Sequence, residues 1–225
     1  MTCAAVTRVF ILLTLIFGGG DYPAPTWHDE LTWAAFEGDL PKVKWLWATP
    51  EADVNSIGRR NRAYASTALA SATQGNQVAV ARWLLQRGAD PNAARGKGPA
   101  PLLLAARSNN VEVARLLVCA GADVNAASGR DHDTPLAAAA RYGQTEVIKL
   151  LIDAGANRNA PDGHGDMPYL VAYREAHSEA SDTLIWYRPF LTPSTVRERA
   201  VRSRPSLRPQ ARAALGCERG AMIQE

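Results

Sequence analysis

Cysteine is scarce in this chain: Cys3, Cys119 and Cys217 are the only three in 225 residues. They are too few and too scattered for a disulfide framework or for a zinc cluster with closely spaced ligands, so the sequence predicts that stability comes from packing. Catalytic signatures are missing as well. There is no nucleophile elbow, no phosphate-binding glycine loop and no HExxH, so an activated nucleophile or an oriented base has no motif to announce it. The expectation is a non-enzymatic chain that needs no cofactor and no metal. Localised positive charge is absent from the body. The net charge is +3, but Arg197, Arg199, Arg202, Arg204, Arg208, Arg212 and Arg219 follow Pro193 against only Glu198, Glu218 and Glu225, which leaves −1 for everything before them. A near-neutral body lacks the dense array of lysine and arginine that phosphate neutralisation requires, and no nucleic acid partner is expected. The tail, residues 192–225, mixes arginine with proline and serine, a composition that predicts disorder. What the chain has is apolar residues, 47% of the total, enough for one domain with appendages at its ends.

Long apolar runs are also lacking. The longest near the start is VFILLTLIF at residues 9–17, preceded by Arg8 and followed by Gly18, Gly19 and Gly20. It is shorter than the roughly 20 apolar residues that a membrane-crossing helix takes. A basic start, a short apolar stretch and then small residues match a secretory signal peptide with cleavage after Gly20 or Ala24. Residues 1–25 are therefore expected to be a signal peptide and linker, leaving an exported mature chain, periplasmic or secreted, without a membrane span. A cytoplasmic protein with an unstructured N-terminus is the alternative. Cys3 precedes the run and cannot act as a lipoprotein cysteine at its end.

An internal period is plain. APLLLAARSNNVEVARLLVCAGADVN, residues 100–125, aligns without a gap on TPLAAAARYGQTEVIKLLIDAGANRN, residues 134–159, and TALASATQGNQVAVARWLLQRGADPN, residues 67–92, falls in the same register. The unit starts Thr67, Ala100, Thr134 and Met167 are 33, 34 and 33 residues apart, a period that signals a repeat architecture. These segments resemble the ankyrin repeat: a turn, a TPLHxAA first helix, a second helix of the VVxLLL type and a GADVN loop. The resemblance extends over about residues 27–187 and implies an all-α solenoid of helix-turn-helix units joined by β-hairpin finger loops.

Each motif position has a mechanical reason. Thr134 can cap a helix through its hydroxyl, and Pro135 suits the first helical position, where a missing N–H is harmless. Ala105, Ala106, Ala139 and Ala140 keep the first helix thin, so that neighbouring units approach closely. Val113, Leu116 and Leu117, like Val147, Leu150 and Leu151, recur at i, i+3 and i+4 and give each second helix one apolar face. Gly88, Gly121 and Gly155 follow these helices, where a left-handed residue ends a helix.

The repeat domain is placed at residues 26–191, with units at about 29–55, 56–92, 93–125 and 126–159 and a degenerate cap at 160–188. Terminal units are expected to be atypical because one face meets water. In the first, Glu51 replaces the glycine and Pro50 predicts an early helix stop. In the last, the second helix is expected around Thr183 to Tyr187. Trp33, Trp45, Trp47 and Trp83 are read as core filling or as sealing of the N-terminal cap, Trp186 likewise at the other end, and Cys119 as a small packing residue.

The resemblance implies binding of a protein partner through the fingers and first helices. The connection between the first two units is about four residues longer than the others and holds Arg59, Arg60, Arg62 and Tyr64; the next finger carries Arg95 and Lys97. The following fingers change sign, with Arg130, Asp131, His132 and Asp133 on one and Asp162, His164 and Asp166 on the other. Such a gradient orients a partner of opposite polarity more than it adds affinity. Phe36, Glu37, Gln74, Arg107, Ser108, Arg141, Tyr142 and Tyr173 are expected on the first-helix face, with Tyr64, Tyr142 and Arg107 as candidate anchors, since aromatic and arginine residues dominate interface energetics. The reading is a monomeric adaptor or scaffold. One alternative is an exported inhibitor or immunity-type protein covering a toxin or enzyme. A weaker one is a metal-dependent enzyme using the Asp131, His132, Asp133, His164 and Asp166 fingertips, since imidazole with carboxylate suits a divalent ion.

Overall fold

The computed structural model of the chain describes residues 27–48, 55, 66–94, 98–187, 215 and 217. The described residues form ten helices in five consecutive pairs: α1 (Trp27–Glu37) with α2 (Leu40–Trp47), α3 (Ala68–Gln74) with α4 (Val78–Gln86), α5 (Pro101–Arg107) with α6 (Val111–Cys119), α7 (Pro135–Arg141) with α8 (Thr145–Asp153), and α9 (Pro168–Arg174) with α10 (Ser178–Trp186). The architecture is all-α.

Local chemistry sets each pair. Thr134 has extended backbone, its side-chain oxygen accepts the Ala137 N–H, and Pro135 opens α7; Thr67 caps α3 the same way from Ala70. After α6 and α8 the chain needs a left-handed residue, and Gly121 and Gly155 take φ 98 and 95, which a Cβ would oppose. First helices pack on first helices, α1 on α3 on α5 on α7 on α9, and second helices form a layer behind them. The core lies between the layers, with Leu31, Val43, Leu69, Val80, Leu84, Leu103, Leu117, Leu136, Ile148 and Leu151 all fully buried. Ala105, Ala106, Ala139 and Ala140 are completely buried between units, the thin face that the alanine pairs predict.

Polar side chains stitch the units. The asparagine that ends each loop reaches the next unit: Asn55 Oδ1 accepts from Asp90 N, Asn92 Oδ1 from Asp123 N and Asn125 Oδ1 from Asn157 N, at 2.9, 2.8 and 2.8 Å. At the other end of the first helices, Asn110 Nδ2 donates to Thr73 O, and Gln77 Nε2 to Phe36 O. Backbone groups that a short loop would otherwise leave unpaired are satisfied across the unit boundary.

Three expectations are corrected. The last second helix begins at Ser178 rather than near Thr183. Its sequence SEASDTLIW hides the apolar period because only Ala180 and Leu184 carry it, and both are buried. The finger hairpin between the third and fourth units forms as expected, closed by the bridge of Ser128 with Asp133. The cysteines are not idle: Cys119 and Cys217 form a disulfide across 98 residues. Sequence spacing is blind to this link because a stack brings positions close that are remote along the chain. With it, Leu215 is buried in the core cluster and its carbonyl accepts from Arg115 Nη1 at 3.2 Å, so the described tail residues are part of the fold. Finally, Trp33 and Trp45 are half exposed and Trp186 is 76% exposed; only Trp47 and Trp83, edge to face at 5.7 Å, fill the space between α2 and α4.

The C-terminal end is clasped by Tyr187, whose hydroxyl donates to Asp153 Oδ2 at 2.8 Å, while Arg158 donates to the Leu184 and Tyr187 carbonyls. Burial, and then the Asp153 acceptor, push the Tyr187 hydroxyl up to about 12.

Candidate functional site

The first helices place one side chain per unit on the concave face at a fixed register, seven residues after the unit start: Phe36, Gln74, Arg107, Arg141 and Arg174. From the third unit onward this row meets the fingers. Arg107 Nη2 lies 3.3 Å from Asp133 Oδ2 and 3.5 Å from Asp131 Oδ2. Arg141 Nη1 and Nη2 donate to Asp133 Oδ2 and Oδ1 at 3.0 and 3.2 Å, and Nη2 also to Asp162 Oδ2 at 2.8 Å. Arg174 donates to both carboxylate oxygens of Asp166, at 2.7 and 3.2 Å. Planar guanidinium against carboxylate is the strong, geometrically fixed form of ion pair. Here it ties each finger to its own first helix and to the neighbouring one.

The aspartates differ sharply in exposure. Asp133 is completely buried and sits between two guanidinium groups, while Asp131 is exposed. Removing one member of such a buried set leaves uncompensated charge and costs about 3–5 kcal/mol. Asp162 is also buried, and its Oδ1 accepts the backbone N–H groups of His164 and Asp166, both at 2.9 Å. Burial works to raise its pKa, but those two donors and the Arg141 charge outweigh it, and the carboxyl lies below its ordinary value. Close approach of the fourth and fifth fingers is possible because residue 163 is glycine: a Cβ there would collide with the Asp131 carbonyl oxygen.

The expected binding residues therefore fall into three groups. Arg59, Arg60, Arg62, Tyr64, Arg95 and Lys97 lie outside the described residues. Arg107, Asp131, Asp133, Arg141 and Asp166 are brought together, but into an internal network that holds the fingers. This corrects the expectation for Asp133, which offers a partner no surface because sequence polarity cannot distinguish a solvated loop aspartate from one buried under arginines. Arg130, His132, Tyr142 and His164 are exposed, Tyr142 by 49%, and these stand free of the network's ion pairs. Tyr173 does not face the groove. It occupies the register of Ala106 and Ala140, which are buried between units, and is 75% exposed because no further unit covers that end among the described residues.

Two residues escape a reading by residue type, Arg174 and Trp33, whereas Asp162 is among the fingertip residues the sequence names. Arg174 and Asp162 complete the network, and the signal for Arg174 is positional: Asp133 precedes Arg141 by eight residues, as Asp166 precedes Arg174. Trp33 is half exposed with its ring 6.1 Å from that of Phe36, an aromatic pair at the N-terminal end of the stack. No group of three or more His, Cys, Asp or Glu side chains among the described residues is arranged to hold a metal ion, since the finger carboxylates are turned to arginine. No helix among the described residues is long and apolar enough to cross a membrane.

Compared with known families, residues 31–128 match the family model described as ankyrin repeats (three copies), and residues 131–163 match the model described as ankyrin repeat. Together these cover more than half of the sequence. No curated protein matches the chain.

Proposed function

The chain belongs to the ankyrin-repeat family, whose repeats serve protein–protein interaction, and from that premise we propose that it is an exported, monomeric module that grips a protein partner in its groove. The observation that carries the reading is the arginine–aspartate network. It fixes the fourth and fifth fingers relative to the first helices before any partner arrives, and a preorganised surface loses less freedom on binding. Its rim offers Arg130, His132, Tyr142 and His164 for contact, while Trp33 and Phe36 supply aromatic surface at the opposite end. Basic residues of the earlier fingers, Arg59, Arg60, Arg62, Arg95 and Lys97, orient an acidic partner segment toward that end.

Export is supported by two independent features. The N-terminal run has the layout of a cleaved leader, and Cys119 with Cys217 forms a bond typical of oxidising compartments. Cleavage after Gly20 or Ala24 would also remove Cys3, so that the mature chain keeps only the two cysteines that pair. The partner then lies in the envelope or outside the cell. Two versions remain: an inhibitor that covers a toxin or enzyme, and a scaffold for envelope components.

The test is a pull-down from the exported fraction with wild type and with Arg59, Arg60 and Arg62 replaced together by alanine. One stoichiometric enzyme that loses activity when bound supports inhibition, and several envelope components support a scaffold. Unchanged capture by the triple variant removes the basic finger from the site, and an uncleaved Met1 start in a cytoplasmic fraction overturns export.

A further inference from the structure

The second helices of the second to fifth units share a position nineteen residues after the unit start, Gln86, Cys119, Asp153 and Trp186, of which Asp153 is partly covered by Tyr187. Gln86 is exposed and Trp186 is 76% exposed, whereas Cys119 is only 7% exposed. The register does not bury it; the returning tail does. Leu215 packs into the core cluster with 4% exposure, its carbonyl accepts from Arg115 Nη1, and Cys217 is bonded to Cys119. Ordering a long tail costs conformational entropy that packing of Leu215 and Cys217 and one hydrogen bond work against. The covalent link changes that balance, because it fixes in place a loop spanning 98 residues.

We propose that the Cys119–Cys217 bond is a redox latch that determines whether Leu215 and Cys217 stay on the outer face of the third repeat. In an oxidising compartment the bond is closed and the end is held. A dithiol reductant opens it: one of its thiolates attacks a sulfur of the pair, the Cys119–Cys217 bond breaks to a mixed disulfide, and the second thiolate displaces the protein sulfur. Two electrons and two protons pass to the protein, leaving Cys119 and Cys217 as thiols and the reductant as a disulfide. Leu215 and Cys217 then leave the outer face, and Cys119 faces solvent. This happens on the second-helix side, opposite the groove, so the inference stands apart from the binding role of the fingers.

The experiment uses the full chain with Cys3→Ser, purified under air, and counts maleimide labels by intact mass. No label before treatment and two after a dithiol are expected. In a second variant, Cys3→Ser with Cys217→Ser, the labelling rate of Cys119 is compared with that of a reference thiol placed by Gln86→Cys in a chain lacking the other cysteines. Loss of protection at Cys119, to a rate comparable with the reference, is the result the latch requires. Two labels on the untreated protein would show that no bond forms, and a Cys119 that stays protected without Cys217 would show that the end is held regardless of redox state; either result overturns the proposal.

Discussion

The two halves of the groove use charge differently. In the third to fifth repeats the concave row is Arg107, Arg141 and Arg174, and each arginine is engaged by finger aspartates. In the first two repeats the same register holds Phe36 and Gln74, and the following connections, residues 56–66 and 93–99, contain basic residues and no acid. The C-terminal half thus uses its arginines to set finger positions, while the N-terminal connections carry basic residues and no acid in their own sequence. A loop charge is informative about binding only after its possible partners within the stack are counted.

The comparison breaks most readily at its centre. Asp133→Ala leaves Arg107 and Arg141 without their buried carboxylate and is expected to destabilise the fold by about 3–5 kcal/mol in chemical denaturation; a loss below about 1 kcal/mol would mean that the network is no more than a surface ion pair. Leu117→Ala, a truncation of a fully buried core side chain, should cost about 2–5 kcal/mol and calibrates the first value. Gly163→Ala forces the fourth and fifth fingers apart, with an expected loss of about 1–3 kcal/mol and faster hydrogen exchange at His164 and Asp166 but not in α4.

Acid sharpens the same contrast. Because the Asp162 pKa is lowered in the folded state, its contribution to stability is fully present above the ordinary value of 3.8 and is lost as pH falls through the lower folded value. The melting temperature of wild type should therefore fall more steeply below that value than that of Asp162→Asn, and parallel curves would exclude the group. At the other extreme, Gln74→Ala and the Arg59, Arg60 and Arg62 triple alanine variant should shift stability by less than about 0.5 kcal/mol, the triple variant weakening partner capture all the same.

Much of the fold was legible in the sequence because a gap-free period writes the same mechanical constraints three times: the cap at Thr134, the thin faces at Ala105 and Ala139, the helix stops at Gly121 and Gly155. Legibility failed where neighbours along the stack decide. Tyr173 has the register of a buried alanine and is exposed only because the fifth repeat is the last described one. Cys119 sits at an outward position and is covered only because the tail comes back. Asp133 reads as a polar fingertip and is buried by two arginines from different repeats. In each case the deciding contact joins residues from different units or ends of the chain, which local pattern does not encode.

The most direct test of the groove as the binding face is site-specific photocrosslinking in the native cell. A photoreactive phenylalanine analogue replaces Tyr142 on the concave rim in one chain and Trp186 on the opposite side in another, both positions being exposed. The account predicts a discrete protein adduct from position 142 and none from 186. Adducts from 186 with none from 142 would contradict it and move the interaction to the outer helices.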